Sequence, residues 1–204
     1  MSFYRETILP YLVHASMRQG TFFAYRQRLL SAAEGCVLEI GVGSGLNLPF
    51  YADTTTRVIG VDPSPKLLSM AQQARKKLAF PIELLEGSAE AIPLESNSID
   101  TVVTTWTLCS VPDATRALEE VRRVLKPSGR LLFVEHGQSP DANVHRWQDR
   151  LTPLWKRIGG GCHLNRAIGQ LIEHSGFRIE QMTTGYMKGP KPMTFMYEGF
   201  ARPV

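Results

Sequence analysis

Short apolar runs alternate with stretches in which apolar residues recur at helical spacing, and this alternation predicts the secondary structure. Runs rich in valine, isoleucine and leucine, typical of strands buried on both faces of a parallel sheet, lie at 37–40, 57–61, 81–86, 98–104 and 130–134. Helical spacing occurs at 67–78 and 117–125. Ser64 and Asp113 stand where N-caps would begin these two helices. Strands that alternate with helices indicate an α/β fold with a parallel sheet.

Two further segments, 178–184 and 194–200, are predicted to form the last two strands of the chain. The segment between them, 185–193, is rich in glycine and proline. Such a link suits a hairpin, so these two strands are expected to be neighbours.

Residues 137–166 are polar at first and then aromatic, and they predict an insertion or a helix that walls a pocket. The triple glycine Gly159-Gly160-Gly161 interrupts this segment. The stretch Cys162–Arg166 is then predicted to open the next helix. On a helix, His163 and Cys162 would point apart, so the pair is not expected to form a nucleophilic or metal site.

Residues 1–34 precede the first strand and contain two runs at helical spacing, which Gly20 separates. They predict a helical N-terminal cover, which lies either over the sheet edge or as a lid over a ligand cleft. The stretch is basic, which would also allow weak contact with a lipid surface. Its arginines are Arg5, Arg18, Arg26 and Arg28.

The composition is that of one globular domain with a full core: 204 residues, 43% hydrophobic and 21% charged. A net charge of +4 without a lysine or arginine run does not predict a nucleic-acid groove. No signal-peptide pattern occurs, and no run reaches the ~18 apolar residues that a membrane span needs. At most peripheral membrane contact is therefore expected, and the sequence does not indicate an oligomeric state.

The three cysteines, Cys36, Cys109 and Cys162, are far apart in the chain and form no Cys-x-x-Cys pair. An odd number of cysteines argues against a disulfide framework. We therefore expect free thiols, no metal and a reducing, cytoplasmic location.

A glycine-rich turn follows the first predicted strand. Gly41, Gly43 and Gly45 would let the backbone turn tightly and approach a ligand closely. Asp62 ends the second strand, 21 positions after Gly41, where a carboxylate can accept hydrogen bonds from both ribose hydroxyls. A dinucleotide site would need a third glycine where Leu46 stands, and no Gly-Lys-Ser/Thr phosphate loop occurs. The pattern therefore disfavours a nicotinamide oxidoreductase and an ATP phosphate loop.

The pattern Glu39-x-Gly41-x-Gly43-x-Gly45, together with Asp62, resembles the nucleoside site of the class I S-adenosylmethionine-dependent methyltransferases. In that family, the position of Glu39 orients the site near the methionine amino group. The position of Asp62 holds the ribose. The resemblance therefore implies S-adenosylmethionine as the cofactor, with no metal.

The same resemblance implies a fold: a Rossmann-like, doubly wound seven-stranded sheet, mostly parallel with an antiparallel last strand and helices on both faces. It implies a single domain spanning residues 1–204. The segment Gly87–Leu94 resembles the part of the family whose backbone meets the adenine ring, and Ser88 stands where an acidic residue is common. The cofactor-binding residues implied in this way are Glu39, Gly41, Gly43, Gly45, Asp62, Pro63, Ser88, Ala89 and Thr105.

Segments near the carboxyl ends of the fourth and fifth strands resemble a narrower group, the methyltransferase-like thiol S-methyltransferases. The resemblance lies in Leu108-Cys109-Ser110-Val111, Glu135-His136, Leu151-x-Pro153-x-Trp155 and Gly161-Cys162-x-Leu164-x-Arg166. It implies a small thiol or sulfide as the methyl acceptor. Trp106, Cys109 and Trp155 are the predicted walls of the substrate pocket. His136 is the candidate catalytic residue, which would accept the thiol proton or pair with the thiolate.

Animal members of that group carry an apolar membrane anchor before the domain, and residues 1–34 here are too polar to be one. A quinone-ring C-methyltransferase or a phospholipid N-methyltransferase would share every cofactor residue. A lipid-linked acceptor predicts that residues 1–34 bind vesicles. A module that binds S-adenosylmethionine without turnover is the alternative outside the enzymes.

Overall fold

The computed structural model describes residues 3–76, 78 and 80–204, and seven strands of this part of the chain form one sheet. The strands are β1 (Gly35–Ile40), β2 (Thr55–Asp62), β3 (Ile82–Glu86), β4 (Ile99–Thr105), β5 (Leu125–His136), β6 (Phe177–Tyr186) and β7 (Phe195–Pro203). Across the sheet their order is β3-β2-β1-β4-β5-β7-β6. Neighbours from β3 to β5 pair in parallel, whereas β7 is antiparallel to both β5 and β6. The predicted α/β sheet with an antiparallel last strand is therefore confirmed.

Helices pack on both faces of this sheet. They are α1 (Leu9–Met17), α2 (Phe23–Leu30), α3 (Pro65–Arg75), α4 (Ala114–Val124), α5 (Ala142–Ile158), α6 (Ile168–His174) and α7 (Lys191–Thr194). A π-helical turn (Tyr4–Ile8) precedes α1, and 3-10 turns lie at Gly20–Phe22 and Leu48–Phe50. Among the described residues, no helix combines the length and apolar character that crossing a membrane requires.

Two helices begin at the N-caps that the sequence predicts. The Ser64 hydroxyl accepts a hydrogen bond from the Leu67 N–H at 3.3 Å at the start of α3. The Asp113 carboxylate accepts one from the Arg116 N–H at 3.0 Å at the start of α4. Each bond satisfies a helix N–H that has no partner within the helix.

The core has two halves, one on each face of the sheet, because successive residues of a strand point to opposite faces. In β4, Val102 packs in the half that α4 and α6 cover, whereas Val103 packs in the half that α2 covers. Both valines are fully buried. Burial on both faces explains why the central strands appear in the sequence as continuous apolar runs.

One helix begins later than the sequence predicts. The expectation that Cys162–Arg166 opens a helix is wrong, since α6 begins at Ile168. Gly161 has a φ of +94°, which interrupts the helical direction after α5. The Arg166 guanidinium donates to the carbonyl oxygen of Val111 at 2.9 Å, so this segment is held against the loop that follows β4.

The carboxyl ends of four parallel strands lie at one edge of the sheet. Gly41 follows β1 and Asp62 ends β2, while Thr105 ends β4 and His136 ends β5. Ligands of open α/β sheets bind at this edge. The topology therefore gathers the predicted site residues in one place.

Candidate active site

A cavity of about 1150 Å³ opens at this edge of the sheet. The predicted residues that line it are Glu39, Gly41, Gly43, Asp62, Pro63, Ser88, Ala89, Thr105, Trp106, Cys109, His136 and Trp155. Single small-ligand pockets are usually ~300–1,000 Å³, so this cavity has room for a cofactor and a second small molecule. We call the part lined by Glu39, Gly43 and Asp62 the nucleoside end, and the part lined by Cys109, His136 and Cys162 the sulfur end.

The glycine turn at the nucleoside end uses its glycines for different reasons. Gly41 has a φ of +70°, and a Cβ there would overlap the Thr107 side chain. Gly43 has a φ of +53°, and a Cβ there would meet only the Gly41 carbonyl oxygen, at 3.8 Å. Gly45 turns the chain at a φ of +77°, and a Cβ there would lie 2.9 Å from Leu48 Cδ1. Gly41 and Gly45 are therefore needed for packing, while Gly43 leaves the backbone open to a ligand.

The Asp62 carboxylate shapes this turn. Its Oδ2 accepts the Gly43 N–H at 2.9 Å, and its Oδ1 accepts the Ser64 N–H at 2.8 Å. Burial raises the pKa of Asp62, and these two hydrogen bonds oppose that rise. Each oxygen retains a lone pair, so the carboxylate can also accept two ligand hydroxyls.

Glu39 is the other buried carboxylate of the nucleoside end, at 1% exposure. The Tyr51 hydroxyl donates to Oε2 at 2.7 Å, and the Asn47 amide donates to Oε1 at 2.8 Å. The same Asn47 amide donates to the Thr105 hydroxyl at 2.9 Å. Burial raises the pKa of Glu39 to about 7. A cationic ligand group beside it would therefore favour its ionised form.

Asn47 and Tyr51 did not enter the sequence-based site, although Asn47 closely follows the glycine turn. Arg26 is one of the four arginines that make residues 1–34 basic, but it is only 3% exposed and so is not available to a lipid surface. Its Nε donates to Asn47 Oδ1 at 2.9 Å, and its guanidinium lies 5.2 Å from the Trp106 ring centre. A buried cation thus lines the cavity close to Glu39.

Trp106 lies where the two ends meet, directly after β4. Its φ is +51°, an uncommon conformation for a bulky residue. The Phe22 ring packs against its indole edge-on, with ring centres 4.9 Å apart. Among the described residues, its buried Nε1–H has no hydrogen-bond acceptor. Since a buried unpaired donor costs about 1–3 kcal/mol, a ligand that accepts this hydrogen would relieve the penalty.

Ser88 and Ala89 lie on the opposite wall, in the segment that follows β3. The Ser88 hydroxyl accepts the Glu90 N–H at 3.1 Å, which forms a local turn. Ala89 is 8% exposed. This wall therefore offers a small side chain and backbone groups rather than a carboxylate.

At the sulfur end, two cysteines that are distant in the chain meet a histidine. The ligating atoms of Cys109, His136 and Cys162 all lie within 4.8 Å of one another. His136 Nε2 lies 2.8 Å from Cys162 Sγ, and its buried Nδ1 has no partner among the described residues. The sequence analysis paired none of these residues with another, because no local spacing links positions on three different segments.

These groups change one another's ionisation. A hydrogen bond from the Cys162 thiol lowers the pKa of Cys109 well below its usual value. Burial opposes a charged His136, but the nearby Cys109 thiolate outweighs burial, and the net pKa of His136 is raised. The two pKa shifts reinforce each other, because the charged form of each group favours the charged form of the other.

The loop that carries Cys109 is held by Glu135, which is fully buried. Its carboxylate accepts the Thr104 hydroxyl at 2.8 Å and the N–H groups of Thr107 and Leu108 at 3.0 and 3.1 Å. Burial raises the pKa of Glu135 to about 8. Glu135 therefore positions the loop rather than lining the cavity.

The N-terminal segment lies across the cavity. His14 Nδ1 is 2.7 Å from the Ser44 hydroxyl in the glycine turn, and the Tyr4 hydroxyl donates to the Ile158 carbonyl at the end of α5 at 2.7 Å. Tyr4 and His14 both line the cavity, as does Trp155 from α5.

Several known proteins are similar to this chain in sequence, and others are similar in fold. The family profile described as "Methyltransferase domain" matches residues 38–133. Thiol S-methyltransferase TMT1B of Rattus norvegicus is 38% identical over 191 residues, which cover 87% of this chain and 78% of the relative. Thiol S-methyltransferase TMT1B of Homo sapiens is 35% identical over 176 residues, covering 83% of this chain and 70% of the relative.

A solved structure of a SAM-dependent methyltransferase from Aquifex aeolicus has the same fold. Its TM-score is 0.69, at 18% identity, with 96% of this chain and 98% of the other chain covered. At that identity, the likeness supports the fold alone. The sequence similarity to the rat relative extends over most of both chains. On that ground, the chain belongs to the S-adenosylmethionine-dependent methyltransferases.

Proposed function

We propose that this methyltransferase acts on a small thiol or sulfide. The observation that carries the proposal is the continuity of one cavity from the glycine turn to the sulfur end. The relatives named above are thiol S-methyltransferases. The acceptor would lie at the end of the cavity that Cys109, His136 and Cys162 line, where an imidazole can interact with a thiol or thiolate.

The residues of the nucleoside end fit S-adenosylmethionine. We assign Glu39 to the cofactor's amino group and Asp62 to its ribose hydroxyls, because both carboxylates are buried and retain free lone pairs. The open face of Gly43 admits the cofactor close to the backbone. Pro63, Ser88 and Ala89 form the proposed adenine wall, and Gly41, Gly45 and Thr105 shape the turn and the strand end beneath the cofactor.

Arg26 and the unpaired Trp106 Nε1–H are the donors that would complete the proposed cofactor site. A guanidinium and an indole N–H at the same end would bind the cofactor's carboxylate. When bound, the cofactor supplies a methyl group that its positive sulfur already activates. The protein's task is to align the acceptor with that methyl group and to exclude water, and alignment can contribute about 7–11 kcal/mol.

The acceptor would lie between Trp106, Cys109 and Trp155. His136 is the proposed catalytic residue, holding the acceptor sulfur as a thiolate or taking its proton. A free thiol has a pKa of about 8.5, so only a few per cent is ionised at pH 7. Modest stabilisation of the thiolate is therefore enough to raise the rate.

We further propose that residues 1–34 act as a cover in a single domain spanning residues 1–204. The contacts of Tyr4 and His14 support this role. The described cysteines are free thiols, which suits a reducing cytoplasm. No nucleic-acid partner is proposed.

A panel assay tests the acceptor. The purified protein is given methyl-tritiated S-adenosylmethionine with small alkyl thiols, matched alcohols, a quinol, an amine or phosphatidylethanolamine vesicles. We expect labelled thioether from the thiols, at rates that rise with the thiolate fraction, and none from the alcohols. The Asp62→Ala variant, in which cofactor binding is expected to be weakened, serves as a control, and its labelling rate should fall at low cofactor concentration.

Each other outcome overturns part of the proposal. Labelling of the quinol or of the vesicle lipid, with all thiols unlabelled, would reject the thiol acceptor. Vesicle binding is measured in parallel because Phe3 (72% exposed), Tyr11 (51%) and Leu154 (61%) are exposed near the N-terminal segment and on α5. Tight cofactor binding with no labelled product from any class would favour a binding module without turnover.

A further inference from the structure

The sulfur end carries three side chains of the types that bind metals. Cys109 Sγ, Cys162 Sγ and a ring nitrogen of His136 lie within 4.8 Å of one another. Two thiolates and one imidazole are a donor set that Zn²⁺ takes in proteins when a fourth position stays open to water or substrate. We propose that Cys109, His136 and Cys162 bind one soft divalent cation of the Zn²⁺ class, in contrast to the absence of a metal expected from the sequence.

The distances suit tetrahedral coordination after a small adjustment. Bonds of about 2.3 Å to sulfur and 2.0–2.1 Å to nitrogen place tetrahedral ligand atoms ~3.5–3.8 Å apart. The three atoms are already gathered within a slightly wider limit, 4.8 Å. His136 Nε2 and Cys162 Sγ, now 2.8 Å apart, would separate by roughly 0.7 Å.

The three ligands come from separate segments, and hydrogen bonds fix the segments. The Cys109 N–H donates to the Glu135 carboxylate at 3.4 Å, and the Cys109 carbonyl accepts the His163 N–H at 2.7 Å. This second bond joins the loop after β4 to the residue next to Cys162. His136 is the last residue of β5, a central strand of the sheet. Such support holds ligands in place before a metal arrives.

The open position would face the methyl-transfer cavity, because all three ligands line it. A further step rests on the thiol acceptor proposed above. The acceptor's S–H bond would break as its sulfur binds the metal, with the proton leaving to water. The acceptor would then be held as a thiolate at the point where it meets the methyl group.

Cobalt(II) is the probe, because tetrahedral thiolate ligation gives it visible and near-ultraviolet absorption. The full, reduced chain is treated with a chelator, desalted and titrated with Co²⁺. We expect saturation at about one Co²⁺ per chain, with bleaching when Zn²⁺ is added. Metal analysis of the protein purified without chelator should likewise give about one Zn²⁺ per chain.

Matched variants assign the ligands. Cys162→Ser and Cys109→Ser should each lose most of the sulfur-to-cobalt absorption, and His136→Asn should shift the visible bands. Cys36→Ser should behave as the parent, because Cys36 lies in β1 and is outside the cluster. The parent spectrum tests the proposal even if a cluster variant fails to fold.

The proposal is overturned if the parent, with its thiols shown to be free, gives no sulfur-to-cobalt absorption. It is equally overturned if Cys162→Ser keeps the parent spectrum, or if the protein purified without chelator or added reductant contains a Cys109–Cys162 disulfide and no metal. Full thiol methylation by a metal-free protein would leave the proposed function intact and reject the role of the metal in holding the acceptor. A bound metal without thiol turnover would support the metal site and reject the thiol acceptor. Addition of a small alkyl thiol should increase the cobalt absorption, and an unchanged spectrum would reject the acceptor step.

Discussion

The nucleoside end and the sulfur end of the cavity are built in opposite ways. The nucleoside end takes its main groups from one short stretch, Glu39 to Asp62, and relies on backbone shape and two buried carboxylates. The sulfur end takes one side chain from each of three distant segments, Cys109, His136 and Cys162. A motif in the sequence can therefore reveal the first end, whereas only the folded sheet assembles the second.

The difference also predicts how each end responds to change. At the nucleoside end, space limits which substitutions are tolerated, because a Cβ at Gly41 would overlap Thr107. At the sulfur end, the donor atom matters more than its volume, because exchanging sulfur for oxygen at Cys162 changes little volume but removes a soft donor. Substitutions at the nucleoside end should thus affect the cofactor first.

The largest loss of cofactor affinity is expected for Gly41→Val. A φ of +70° is strained for valine, and its side chain would overlap Thr107, so the turn must move. We expect the dissociation constant for S-adenosylmethionine to rise by more than roughly 100-fold in calorimetry. Gly185→Val is the control, since nothing lies within 4 Å of a Cβ there. Normal binding by Gly41→Val, with native circular dichroism, would mean that the turn does not contact the cofactor.

The next largest loss of cofactor affinity is expected for Asp62→Ala. It removes an acceptor for ribose hydroxyls and also the two backbone bonds to Gly43 and Ser64. Affinity for S-adenosylmethionine should fall by about 1–3 kcal/mol, or roughly 5- to 150-fold. Asp53→Ala, at an exposed aspartate, should bind as the parent does. Equal affinities for Asp62→Ala and Asp53→Ala would remove Asp62 from the cofactor site.

Sequence reasoning succeeded where structure is decided locally or by burial on two faces. The Val102 and Val103 pattern predicted a central strand, and the caps at Ser64 and Asp113 began the predicted helices. It failed where a distant contact decides the outcome. Arg26 carries no local sign of facing inward, yet its bond to Asn47 buries it. The helix expected from Cys162 starts late because Arg166 bonds to another loop.

A smaller effect on cofactor affinity, one that depends on pH, is expected from the ionisation of Glu39. Its pKa of about 7 in the free protein means that it is largely protonated below pH 7. The cofactor's cationic amino group favours the ionised form, so affinity should rise with pH up to about 7 and then level off. Below that pKa the slope approaches tenfold per pH unit. Calorimetry between about pH 5.5 and 7.5, where an α-amino group with a pKa near 8 stays charged, measures it.

Glu39→Gln is the matched control for that slope. It keeps the shape and one oxygen acceptor but cannot ionise. We expect weaker binding than the parent above pH 7 and little change with pH. The same slope in both proteins would assign the pH dependence to another group.

The smallest effect on stability is expected for Trp106→Phe. The change removes a buried N–H that has no acceptor among the described residues, so the unfolding free energy should change by less than about 1 kcal/mol. Cofactor affinity should fall severalfold if this N–H donates to the cofactor. Denaturant unfolding and calorimetry on the same samples separate the two. Unchanged affinity would leave the indole as packing against Phe22.

The loop after β4 connects the two ends of the cavity. Trp106 borders the nucleoside end and Cys109 belongs to the sulfur end, while Glu135 ties the intervening backbone of Thr107 and Leu108 into one unit. If binding of one ligand shifts this unit, the affinity for the other ligand changes as well. Because such coupling is reciprocal, the factor by which the cofactor alters acceptor affinity equals the factor by which the acceptor alters cofactor affinity. A change in acceptor affinity on cofactor binding would therefore be transmitted through four consecutive residues, 106–109.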